Sequence, residues 1–112
     1  MISEQLAGGV MDLLVLAVLR DEETYGYELV GMLADCGLES VNEASVYTSL
    51  RRLETKGMLT GRRELADNGK ARKYYALTPE GFAMLKAGVR AWTAQSRAVD
   101  KVLANHPVPG TL

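Results

Sequence analysis

The chain has 112 residues, 47% of them hydrophobic and 24% charged, with a formal net charge of −1. That is enough for one domain with a real core; a single cysteine (Cys36) excludes an internal disulfide, a single histidine (His106) leaves no Cys/His cluster for a metal, and no cofactor is expected. The small net charge hides a segregation: residues 1–50 carry one cation and nine anions, whereas residues 51–73 carry eight cations and three anions, so the middle third would attract a polyanion and the first third would repel one.

The first predicted element is a helix from Leu6 to Leu19. Leu6, Val10, Leu13, Leu14, Ala17 and Val18 follow helical spacing, and Val15, Leu16 and Leu19 widen the stripe, so most of its circumference should be covered. Its apolar run, Val10 to Leu19, contains Asp12 and is too short to span a bilayer. It also lacks the basic flank and cleavage site of a signal peptide, so a cytoplasmic protein with no membrane partner is expected. After "RDEET", Thr24 is the expected N-cap of a second helix that ends at Gly37.

Asn42 should cap a third helix running from Glu43 to Lys56 and ending at Gly57. On a helical wheel Val46, Leu50 and Leu53 form one line with Tyr47 at its edge. The opposite side carries Ala44, Ser45, Thr48, Arg51, Arg52 and Thr55. Asn68-Gly69 then signals a two-residue hairpin turn between arms at 59–65 and 72–78, with Lys70, Arg72 and Lys73 clustered near its tip. In the second arm Lys73, Tyr75 and Leu77 share one face, and Arg72, Tyr74 and Ala76 the other. Tyr25, Tyr27, Tyr74 and Tyr75 read as core and hinge aromatics.

"TPEG" opens a last, long helix with Thr78 as N-cap and Pro79 in its first turn. Phe82, Leu85, Val89, Trp92, Ser96, Val99 and Leu103 recur in steps of three and four, a heptad stripe that no later element can cover. A second copy of the same helix is the expected cover. The expected organisation is therefore 1–78 as one unit, 79–106 as a dimerisation helix, and 107–112 as a loose tail.

Three helices followed by a two-stranded hairpin is the order of a winged helix-turn-helix, a mainly α, α+β fold. Its third helix fits the major groove, where small Ala44 and Ser45 let the backbone approach. Tyr47, Thr48, Arg51 and Arg52 on that helix, with Lys70, Arg72 and Lys73 on the wing, complete the expected contact set to double-stranded operator DNA. The alternative is a winged-helix protein-interaction module without operator binding; such modules usually lack a basic recognition face. No serine or cysteine has a histidine within sequence reach to make a nucleophile, so an enzyme is not expected.

The stretches "TYGYEL" (24–29), "ASVYTSLRRLETKGML" (44–59) and "ARKYYALTPEG" (71–81) give the chain a close resemblance to the PadR family of bacterial transcriptional regulators. Glu43-Ala44-Ser45-Val46-Tyr47-Thr48 stands where that family commonly has Pro-Gly-Thr-Leu-Tyr-Pro, and with the single C-terminal helix this resembles its small multidrug-sensing branch. The resemblance implies a homodimeric repressor, the last helix of each subunit packed on the first helix of the other. It also implies that Trp92 lines a pore at the dimer centre and stacks on flat, partly cationic aromatic compounds. Leu6, Val10, Leu13, Ala17, Val89 and Ser96 would line that pore, and Phe82, Leu85, Val89, Trp92, Val99 and Leu103 the dimer interface. On spacing alone, Trp92 reads rather as a packing residue of that interface; only with the resemblance do the two readings stand level.

Overall fold

The computed structural model describes residues 2–110, and of residues 2–8 the backbone alone. In chain order its elements are α1 (Ile2–Val18), β1 (Thr24–Tyr25), α2 (Gly26–Asp35), α3 (Glu43–Thr55), β2 (Leu59–Leu65), β3 (Ala71–Leu77) and α4 (Pro79–Asn105). The strands form one antiparallel sheet in the order β1-β3-β2. This is the winged helix-turn-helix expected from the order of elements.

The core forms where helical and strand periodicities meet. Val15, Leu16 and Leu19 of α1 pack with Leu29 and Leu33 of α2, and with Val46, Leu50 and Leu53 of α3. Leu59 and Tyr75 close it from the sheet, and Leu85 from α4. The α3 residues are those on the apolar line of the wheel, so the opposite face of that helix is left to solvent.

Local chemistry starts and stops the helices. The Asn42 carboxamide oxygen accepts from the Ala44 N–H at 2.8 Å, a cap that contributes about 1 kcal/mol. At the other end of α3, Gly57 takes φ +80° and lets the Met58 N–H donate back to the Leu53 carbonyl at 2.9 Å. The Thr78 hydroxyl accepts from the Gly81 N–H at 3.0 Å and donates to the Gly57 carbonyl at 2.7 Å, so one side chain caps α4 and ties it to the end of α3.

Two expectations need correction. Thr24 does not cap α2. It pairs with Tyr75 across the sheet, and its side chain is turned into the core, so it cannot reach the helix N–H groups. Tyr25 holds the cap position in extended conformation without a side-chain bond, and the buried Thr24 hydroxyl meets no partner among the described residues. The hairpin turn is also longer than two residues. The Ala66 N–H donates to the Lys70 carbonyl at 2.8 Å and the Gly69 N–H to the Ala66 carbonyl at 2.9 Å, so Asp67, Asn68 and Gly69 make the link. Gly69 takes φ +82°, whereas Asn68 keeps negative φ and accepts from the Lys70 N–H through its side chain at 3.0 Å. The second arm is consequently Ala71–Leu77, ending where Thr78 is committed to α4.

The last helix is 27 residues long, roughly 40 Å at 1.5 Å per residue. Its first turns lie on the body of the protein, with Gly81 and Leu85 buried and Gly88 close to Leu13 of α1. Leu85, expected at a dimer interface, is thus taken up by the core of its own chain. Beyond Gly88 the helix stands clear, which accounts for overall extents of 56 × 28 × 25 Å. Phe82, Val89, Trp92, Val99 and Leu103 are all exposed, Leu103 to 60%. Among the described residues no helix is long and apolar enough to cross a membrane.

Candidate nucleic-acid interface

The outer face of α3 presents Ala44, Ser45, Thr48 and Arg51, all exposed, with an Arg51 Nη2 to Thr48 Oγ1 contact of 3.5 Å. Tyr47 points elsewhere. Its hydroxyl end lies against the start of α2, so close to Gly26 that a Cβ there would sit 2.4 Å from Tyr47 Cε1. That contact sets the crossing of the two helices. Burial first, then Glu43 and Tyr75, push the Tyr47 phenol above its ordinary pKa, so it remains a neutral hydroxyl at physiological pH.

The eight cations of residues 51–73 are not equivalent. The Arg52 guanidinium is turned toward α1: Nη2 donates to Asp12 Oδ1 and Nε to Asp12 Oδ2 at 3.4 Å. Lys73 donates to Glu54 at 2.7 Å and lies 5.4 Å from the centre of the Tyr75 ring. It thereby staples the wing to α3, and Gly61 leaves the room beneath it. Arg62 pairs with Glu23 and Glu64 and covers the Tyr74 ring at 5.1 Å. Its hydrogen bond holds the Glu23 carboxyl below the usual carboxylate range. Arg72 stacks over Tyr25 at 4.6 Å. Arg51, Lys56, Arg63 and Lys70 are exposed and make no ion pair among the described residues.

Between the start of α2, Tyr47 and the wing lies an open cleft of about 450 Å³. Tyr25, Gly26 and Tyr27 form one side, and Arg63, Lys70 and Arg72 the other. Tyr27 was expected as a core or hinge aromatic but is 72% exposed and lines this cleft. Two residues of this region were missed from sequence. Arg63 alternates with Leu59 and Gly61 and so shares the strand face that looks toward α3. Asp12 is the one carboxylate in the apolar run of residues 10–19, which by itself signals a buried partner.

A helix offering a small, polar and cationic face, braced by a basic hairpin, defines a winged helix-turn-helix of the kind that binds DNA. The chain belongs to the transcriptional regulator PadR-like family, whose sequence pattern matches residues 15–87. It is 34% identical over 85 residues to the transcriptional regulator Rv3488 of Mycobacterium tuberculosis, covering 76% of this chain and 78% of that one. Among solved structures, a PadR-family transcriptional regulator from Eggerthella lenta is 35% identical with a TM-score of 0.77, over 91% of this chain and 88% of that one. A PadR-like transcriptional regulator from Bacillus cereus is 32% identical with a TM-score of 0.75, over 88% and 96% respectively. The family and these relatives are transcriptional regulators, not enzymes.

Proposed function

We propose that this protein is a cytoplasmic homodimeric repressor that reads a near-palindromic operator and is released by a planar aromatic ligand. The observation that carries the dimer is the exposed stripe Phe82, Val89, Trp92, Val99 and Leu103 on a helix that outruns its own domain. Pairing that helix with a second copy's α1 and α4 would bury the stripe. It would also set two α3 helices about one turn of DNA apart, roughly 34 Å. On each half-site Ala44, Ser45 and Thr48 face base edges, and Arg51, Arg63 and Lys70 take phosphates. Lys73 acts by holding the wing in place, and Tyr47 by fixing α2 against α3.

The test is a salt titration of binding to the DNA upstream of the protein's own reading frame. Arg51→Ala and Lys70→Ala are each expected to weaken binding to all sequences and to lower the log–log salt slope by about 0.9. Ser45→Ala and Thr48→Ala should cost more on the operator than on random DNA. No detectable DNA binding at low salt would return the protein to the interaction-module reading.

The ligand reading rests on Trp92, 43% exposed on α4, and on the half-buried Val10, Leu13 and Ser96 and exposed Ala17 and Val89 around the same helices. Leu6 lies outside the described side chains. The Ser96 hydroxyl donates to the Thr93 carbonyl at 3.2 Å, so toward a ligand it would act as an acceptor. A neighbouring apolar groove over Phe82, Leu85 and Val89 is rimmed by Arg20, Lys86 and Arg90, so neutral and anionic planar compounds are to be tested beside the flat, partly cationic ones that an indole face attracts. Such compounds are expected to quench Trp92 fluorescence at micromolar concentration, and Trp92→Ala to abolish their binding in calorimetry with dimer and DNA affinity retained. Coupling must be reciprocal, so operator DNA should weaken ligand binding by the factor that ligand weakens DNA binding. Trp92 fluorescence that no planar compound changes would leave Trp92 as a packing residue.

A further inference from the structure

We infer that Asp12 is a positioning residue for DNA binding: it holds the Arg52 guanidinium side-on so that the remaining edge meets a backbone phosphate. The inference rests on the proposed reading of α3 as the DNA-contacting helix. The Asp12 side chain is 13% exposed in an otherwise apolar stretch of α1, and a carboxylate there needs compensation. Two residues of α3, one turn apart, supply it. The Ser49 hydroxyl donates to Oδ1 at 2.5 Å, and Arg52 donates through Nη2 and through Nε at 3.4 Å. Ser49 itself is 1% exposed.

A guanidinium has five N–H donors in a fixed fork. Asp12 occupies the Nε–Nη2 edge, which leaves Nη1 and one Nη2 hydrogen. The Arg52 side chain is 37% exposed. It lies one turn along the helix from Thr48 and two turns from Ser45, at the margin of the face offered to DNA. Arg52 cannot leave Asp12 without stranding a buried carboxylate, so it does not search for a phosphate as a solvated lysine would. Its fork is already ordered, and less rotamer freedom is lost when a phosphate arrives. Removing Asp12 would take away a negative charge beside Arg52 and yet weaken binding, and that sign separates positioning from simple charge.

The experiment uses the full chain and a labelled duplex of arbitrary sequence, about two helical turns long, across a salt series. Thermal unfolding of each variant identifies a temperature at which all are folded. Arg52→Ala is expected to weaken binding about tenfold and to lower the salt slope by about 0.9. Asp12→Asn is expected to weaken binding several-fold in the wild-type background and not at all in the Arg52→Ala background. Arg52→Lys keeps the charge and the pairing with Asp12 but not the spare edge, and should lose affinity and slope as Arg52→Ala does. It stands as the test if Asp12→Asn does not fold. Tighter binding by Asp12→Asn, an equal loss in both backgrounds, or wild-type affinity in Arg52→Lys would each overturn the inference. Failure of the wild-type protein to bind the duplex would overturn the DNA reading itself, and this inference with it.

Discussion

Gly81→Ala is expected to destabilise the protein by roughly 3 kcal/mol or more, although alanine is the better helix former. Gly81 lies in the first turn of α4, where an added Cβ would come within 2.1 Å of the Met58 carbonyl oxygen and 3.3 Å of Leu77 Cδ2. That carbonyl is main chain and is held, since the Thr78 N–H donates to it at 3.1 Å. It cannot swing aside as a flexible side chain would, so the helix itself must move. Moving α4 breaks the Thr78 link to Gly57 and lifts Leu85 out of the core. Urea denaturation measures the loss. Gly31→Ala is the matched control, because Gly31 is helical and exposed and nothing among the described residues lies within 4 Å of its would-be Cβ. It should stabilise the protein by about 0.5 to 1 kcal/mol. If the two substitutions shift stability alike, the packing at Met58 is not what selects glycine at position 81.

Val99→Glu combined with Leu103→Glu is expected to convert the proposed dimer into a folded monomer, as read by sedimentation equilibrium. Both side chains are exposed on the protomer, at 45% and 60%, so the substitutions leave the core of each chain intact. In a dimer paired along α4, the four carboxylates would replace apolar contacts and be taken out of water together. Loss of the dimer separates the two recognition helices. DNA affinity should then fall by the factor that linking two sites supplies, about 10²- to 10⁴-fold. A double variant that stays dimeric would show that the stripe is not the interface.

What could be read from the sequence alone was what each segment settles within a few residues of itself. The Asn42 and Thr78 caps, the Gly57 stop and the alternation in the wing are satisfied locally, and they stand where composition and spacing put them. The order of elements follows from them, and the winged helix-turn-helix follows from the order. The charge segregation was also legible, because burial demands do not move Lys and Arg far from their place in the chain.

Tertiary structure decided everything that depends on which elements dock. Thr24 carries the same local signal as a cap or as a strand residue, and only pairing with Tyr75, far along the chain, turned it inward. The hairpin link grew to three residues because the register between β2 and β3 left Asn68 in a negative-φ position. Leu85 fell to the core rather than the dimer stripe because α4 crosses α1 near Gly88. Which cations are held in ion pairs was equally out of reach of periodicity. Arg52 and Lys73 look like any other basic residues of residues 51–73 until folding brings Asp12 and Glu54 beside them. A helix or turn is stabilised by bonds its own neighbours supply, whereas a charge is committed or released by whatever the fold places within a few ångströms of it.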